Sequence, residues 1–153
     1  MTNRRKPNVL LTRRELGAGV VALTVVGVGC AGPQGLGEVK QVEAPGNTLT
    51  LALAEHPELN EAYGRVTLKV ASEKKPILVI RGEGEEFFAL STKCTHLGCP
   101  VGWNAEEHTI DCSCHGSRFQ HSGEVLAGPA KQPLRRFDVA RDGETLVIAI
   151  TPE

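Results

Sequence analysis

Apolar and polar positions are distributed differently in three parts of the chain. Residues 1–15 are polar and basic, and an uncharged, mostly apolar run follows over residues 16–31 until Gly32 and Pro33 close it. Residues 32–47 are rich in Gly and Pro with no hydrophobic period, which predicts a flexible linker. From Thr48 onward the apolar residues come in short blocks: 48–54, 65–71, 77–81, 87–91, 134–140 and 145–151, separated by turn signals such as Gly82-Glu83-Gly84 and Asp142-Gly143. Blocks of this length, bounded in this way, predict strands. Only residues 56–63 have the pattern of a short helix, and no internal repeat is present. The expectation is an all-β fold, a small antiparallel β sandwich or barrel over residues 48–153, behind a targeting segment (1–31) and a linker (32–47).

Charge sharpens this division. The chain has 153 residues with 17 Lys or Arg and 18 Asp or Glu, but five of the cations precede residue 15, so residues 30–153 are net acidic. A mildly acidic body argues against a nucleic-acid partner. A basic stretch ahead of a 16-residue uncharged run is the layout of an export signal. That run would be about 24 Å long as a helix, short against the roughly 30 Å of a bilayer's hydrocarbon core. Its glycines keep it weakly hydrophobic, and Thr12-Arg13-Arg14-Glu15-Leu16 resembles the twin-arginine signature for exporting folded proteins across the bacterial inner membrane. Cys30, after Gly27-Val28-Gly29, sits where a lipoprotein cleavage box would place its lipidated Cys, although Gly27 stands where Leu is usual. Lipid anchor and uncleaved apolar anchor both remain open, and each puts the body at the periplasmic face of the inner membrane. The same stretch satisfies G-x-G-x-x-G over residues 27–32, but no helix can follow through Pro33, Gly35 and Gly37, so it is not a phosphate site.

The chemistry is concentrated between the strands predicted at 87–91 and 134–140. Cys94-Thr95-His96-Leu97-Gly98-Cys99-Pro100 is followed by Cys112-Ser113-Cys114-His115-Gly116-Ser117, so a C-x-H and a C-x-x-H are separated by 15 residues, with a further Cys in each loop. Such clustering of Cys and His means a metal site, a disulfide, or both. Four of these residues could also form a Cys2His2 zinc site in a zinc-stabilised binding module, though zinc leaves the two additional Cys unexplained.

The pattern resembles the Rieske iron-sulfur family, closely over residues 87–130, with the cluster-binding part at about 92–130. Gly128-Pro129-Ala130 is similar to that family's proline loop. The resemblance implies one [2Fe-2S] cluster per chain, with Cys94 and Cys112 ligating one iron and His96 and His115 the other. It also implies a Cys99–Cys114 disulfide, which cytochrome bc-type members carry and the oxygenase ferredoxins generally lack. Two thiolates neutralise a core of two ferric ions and two sulfides, whereas four would leave a dianion, so His ligation raises the potential by hundreds of millivolts. A disulfide needs an oxidising compartment and cluster assembly a cytoplasmic one, and export of a folded, loaded domain satisfies both.

The implied role is one-electron transfer, foremost as the iron-sulfur subunit of a quinol-oxidising cytochrome bc-type complex. There His96 and His115 would meet quinol, a cytochrome b-type subunit would be the partner, and a c-type cytochrome would be the acceptor. The alternatives are the Rieske subunit of a periplasmic molybdenum oxidase similar to arsenite oxidase, paired with its large subunit, and an exported Rieske ferredoxin. Ser117 keeps a hydroxyl for a cluster sulfide, but Phe119 stands where high-potential respiratory members have Tyr. Gly98, Gly102, Gly116 and Gly128 suit close backbone approach or turns, Trp103 suits packing, and His56, His108 and His121 read as solvated residues without a role.

Export should depend on Arg13 and Arg14. Replacing both with Lys should strand the protein in the cytoplasm, as cell fractionation would show, while unchanged export would indicate the ordinary secretory route.

Overall fold

The computed structural model describes residues 35–151. The export signal, Cys30 and the start of the linker lie outside the described residues. The described residues form eleven strands: β1 (Val39–Val42), β2 (Thr48–Ala52), β3 (Arg65–Val70), β4 (Ile77–Arg81), β5 (Phe87–Ser91), β6 (Gly102–Asn104), β7 (Thr109–Cys112), β8 (Ser117–Gln120), β9 (Val125–Ala127), β10 (Arg136–Asp142) and β11 (Thr145–Ala149). Seven of them make a nearly closed sheet in the order β1-β3-β4-β5-β10-β11-β2, and β6-β7-β8-β9 make a second, smaller sheet. All pairings are antiparallel except β1 on β3.

Alternation along the strands builds the barrel's interior. Leu49 and Leu51 of β2 face Ile148 and Leu146 of β11 directly in register, and all four are buried. They join Val66, Leu68, Val70, Phe137 and Ile150 in the first core. Strand β4 reads Ile-Leu-Val-Ile before its last residue, Arg81, because both faces of that run are covered. Ile77 and Val79 point into the first core, whereas Leu78 and Ile80 point the other way into a second core with Leu90, Trp103, Ile110, Phe119, Leu134, Cys94 and Cys112. This second core joins the barrel to the small sheet and places the cysteine loops at its end.

The structure departs from the sequence expectations in four places. The linker does not extend through residue 47, because Val39–Val42 pairs in parallel with β3 and the buried Thr67 hydroxyl donates to the Leu36 carbonyl. Both contacts are long-range and leave little period to read in a four-residue strand none of whose residues is fully buried. The expected helix over residues 56–63 is replaced by 3-10 turns at Leu53–Glu55 and Pro57–Asn60, since Pro57 starts a turn that ends before a full helix forms. His56 is buried rather than solvated, with Nδ1 3.5 Å from Glu58 Oε1, and His121 is half-buried, edge-on to Tyr63 and Phe88. His108 is exposed as expected, but its ring stacks on Tyr63 at 4.0 Å. Finally, β6 to β9 were not foreseen, being only three or four residues long.

If residues 36–42 belong to the folded unit, Thr67→Val should leave the Leu36 carbonyl without its donor and lower the unfolding free energy by about 1 to 2 kcal/mol. Urea denaturation checks this. A neutral outcome would return the segment to the linker.

Candidate metal centre

The two cysteine loops share one construction. The first leaves β5 and closes on itself: Lys93 bridges Pro100, the Cys94 N–H donates to the Cys99 carbonyl at 2.8 Å, and Val101 N–H to the Thr92 carbonyl at 3.1 Å. The second is the β7–β8 hairpin, whose last pair is Cys112 with Ser117. Each loop begins at a buried Cys whose carbonyl accepts the N–H of a glycine four residues on, Gly98 at 2.9 Å and Gly116 at 3.0 Å. Both glycines have φ of +76°, a left-handed conformation that a side chain would strain. Turn geometry therefore explains these two glycines.

A disulfide joins Cys99 to Cys114, which lie 15 positions apart in sequence with Cα atoms 6.5 Å apart. The sulfurs of Cys99, Cys112 and Cys114 lie within 4.8 Å of one another, but the bonded pair has no thiolate to offer a metal. Cys94 and Cys112 are the free cysteines among the described residues, and both are buried. Burial pushes the Cys112 thiol up from its ordinary range, and the adjacent Cys94 thiol adds to the shift. Backbone N–H groups of Cys114 and His115 oppose it by donating to the Cys112 sulfur.

The imidazoles of His96 and His115 stand edge to face with ring centroids 4.8 Å apart, the first half-buried and the second exposed. His96 Nδ1 is buried and has no hydrogen-bond partner. A buried ring nitrogen without a partner is costly unless a ligand uses it. Two buried thiols from separate loops, two adjacent imidazoles and that orphaned nitrogen fit a sulfur-and-nitrogen-ligated cluster in donor number and type.

A third segment closes the site. Ala130 N–H donates to Ser117 Oγ at 3.0 Å, leaving the Ser117 hydroxyl proton available to another acceptor, and Thr95 Oγ1 donates to the Gln132 carbonyl at 2.6 Å. The loop of residues 128–133 is thus tied to both cysteine loops. Phe119 is fully buried in the second core, and Trp103 packs in the same core beneath the Arg65 guanidinium at 5.0 Å. Sequence reasoning missed the polar lattice beside Cys112. There Asp111 accepts from Asn104 Nδ2, the Thr109 hydroxyl and Arg118 Nε, and Asn104 Oδ1 receives the N–H groups of Glu106 and Glu107. Its only signal was polar residues alternating with Trp103 and Ile110.

These features define a Rieske-type iron-sulfur domain. The family model for the Rieske [2Fe-2S] domain matches residues 36–138, well over half of the chain, and the chain belongs to that family. The domain accordingly binds a [2Fe-2S] cluster and is an electron-transfer module. It is 33% identical over 118 residues to the cytochrome b6-f complex iron-sulfur subunit of Synechococcus sp. (strain JA-2-3B'a(2-13)), covering 76% of this chain and 66% of that one. It is 62% identical over 50 residues to the Rieske 2Fe-2S iron-sulfur protein YhfW of Bacillus subtilis (strain 168), 33% of this chain and 10% of that one. The chain spans between a tenth and about two thirds of these relatives' lengths. Among solved structures, the complex of oxygenase and ferredoxin in carbazole 1,9a-dioxygenase shares the fold, with TM-score 0.53, 20% identity, and coverage of 70% of this chain and 96% of the other.

The disulfide should stabilise the domain by restricting the unfolded chain. Replacing Cys99 and Cys114 together with Ala should lower the unfolding free energy by about 3 kcal/mol for a loop of this length. Denaturation of the variant beside the parent measures it.

Proposed function

We propose that this chain is the iron-sulfur subunit of a quinol-oxidising cytochrome bc-type complex, tethered at the periplasmic face of a bacterial inner membrane. Cys94 and Cys112 would hold one iron of the cluster and His96 and His115 the other. The observation that carries the reading is the paired imidazoles at the exposed end of two loops locked by the Cys99–Cys114 disulfide. The relatives named as cytochrome b6-f iron-sulfur subunits support the same complex type, and a cytochrome b-type subunit is the partner that this implies.

When bound, the cluster supplies a one-electron redox centre whose potential is raised by its nitrogen ligands. The protein's part is to present and tune it. The buried His96 Nδ1 is the ring nitrogen suited to ligation, which leaves the imidazole's other nitrogen, in its deprotonated form, to accept a hydrogen bond from a quinol hydroxyl and then hold its proton. Burial in the second core keeps water from the two thiolates, and the N–H groups of Cys114 and His115 together with the Ser117 hydroxyl offer donors to sulfur. The twin-arginine segment and the anchor at residues 16–31 belong to this reading, as does a c-type cytochrome as acceptor.

Metal analysis of holoprotein made with intact cluster assembly should give iron and acid-labile sulfide. Zinc alone would overturn the assignment. Purification from the native membrane should bring down a cytochrome b-type subunit; a molybdenum-containing large subunit instead would place the chain in a periplasmic oxidase.

Phe119 cannot donate to a ligand sulfur, and one such hydrogen bond is worth on the order of 1.5 to 3 kcal/mol. Since 59 mV corresponds to about 1.4 kcal/mol for one electron, Phe119→Tyr should raise the midpoint potential by about 60 to 130 mV. Ser117→Ala should lower it. Voltammetry of the holoprotein decides, and an unchanged Phe119→Tyr midpoint would mean that this position does not reach the sulfur.

A further inference from the structure

We propose that Asp111 and Arg118 set the reduction potential of the cluster from the outer face of the small sheet and so determine which donors can reduce it. The inference rests on the reading that Cys112 ligates iron. Strand β7 ends at Cys112, and its side chains alternate between two faces. Ile110 and Cys112 lie in the second core, so Thr109 and Asp111 stand on the opposite face. Asp111 is the acidic residue nearest in sequence to any of the four expected ligands, one strand position or about 3.3 Å of rise from Cys112.

Most surface carboxylates swing freely, but this one is fixed. Asn104 Nδ2 donates to Asp111 Oδ2 at 3.1 Å, and the Thr109 hydroxyl donates to Oδ1 at 2.9 Å. Arg118 is the cross-strand partner of Asp111, with Nε 3.4 Å from Oδ1 and a second nitrogen donating to Thr109 Oγ1 at 3.4 Å. Arg118 also pairs with Glu107 in the β6–β7 turn, and Asn104 Oδ1 holds that turn down by accepting the N–H groups of Glu106 and Glu107. Three strands and a turn thus converge on Asp111. Its charge cannot leave Cys112 without giving up three hydrogen bonds.

The residue opposite Asp111 on β6 is Gly102, which has no side chain, and an open cavity of about 410 Å³ there is lined by Asp111, Arg118, Cys112 and Ser117 among others. Carboxylate, guanidinium and ligand Cys therefore border one space that dissolved ions can enter. Reduction adds one negative charge to the cluster, which Asp111 and Glu107 oppose and Arg118 favours. The three side chains sum to minus one, so together they lower the potential, and Arg118 limits the lowering. A lower potential admits only more strongly reducing donors. Side-chain exposures of 32% for Asp111, 37% for Arg118 and 54% for Glu107 put all three within reach of screening. Each charge is then worth about twofold to fivefold in the reduction equilibrium, the scale of partly exposed charge interactions.

The test is the midpoint potential of the holoprotein at neutral pH, measured by spectroelectrochemistry beside charge variants. Asp111→Asn removes the charge at nearly constant shape and should raise the midpoint. Glu107→Gln should raise it less, and Arg118→Gln should lower it. Arg118→Lys keeps the charge without the planar fork and should stay near the parent, while Asp111→Asn combined with Arg118→Gln should return toward it. The Asp111→Asn shift should shrink as salt rises. Visible and electron paramagnetic resonance spectra of the reduced cluster should keep the parent's form in every variant, because no ligand is altered.

Shifts of the same sign for Asp111→Asn and Arg118→Gln overturn the proposal. So does an unchanged midpoint in both with intact spectra, because the lattice is then only a brace, visible as a lower unfolding free energy at constant potential. Should Asp111→Asn fail to retain its cluster, Glu107→Gln and Arg118→Gln still decide, since they alter the more exposed part of the lattice and carry opposite expected signs. A different result would count against the ligation reading itself: a parent holoprotein without a [2Fe-2S] spectrum, or a Cys112→Ser variant whose cluster spectrum matches the parent's.

Discussion

Neither cysteine loop can hold its functional side chains alone, and the covalent bond between Cys99 and Cys114 fixes one loop against the other. Each loop has a single tight turn, closed by one carbonyl-to-glycine hydrogen bond, and contributes one buried thiol and one imidazole. A hydrogen bond exchanged with water contributes only about 1 kcal/mol, too little to set the separation of two loops. The disulfide, together with the shared burial of Cys94 and Cys112 in the second core, does so. The segment at residues 128–133 then depends on both loops, being tied to one through Thr95 and to the other through Ser117.

The site divides its polarity along one axis. The sulfurs point inward, among Leu78, Ile80, Leu90 and Phe119, where unpaired charge is most expensive. The imidazoles stand at the outer end of the loops, His96 half-buried and His115 exposed. This arrangement follows from the order of residues in each loop: the free Cys is the last residue to face the core before the chain turns, and the His falls in the turn itself.

Most of the barrel was legible because its strands show their burial in composition. The apolar block of β4 and the alternation of Leu49, Leu51, Leu146 and Ile148 need no tertiary knowledge to be read as strands. The candidate ligands were legible for a different reason, since Cys and His at that spacing have few structural uses. What escaped were elements whose cause lies elsewhere in the chain. Strand β1 exists because β3 offers it an edge, and none of its own residues is fully buried. His56 is buried because Pro57 turns it inward, and its polar neighbours gave no hint of that. The small sheet is built of strands too short to display a period, yet it carries the second loop.

Strand β4 has a consequence for how long the protein can retain what it binds. Its two faces are walls of two different cores, so the small sheet cannot separate from the barrel without stripping Leu78 and Ile80 of their cover. Local opening that would free the thiols for exchange with solvent therefore approaches the cost of unfolding the whole domain. A folded head of this design keeps its iron by kinetics as well as by affinity.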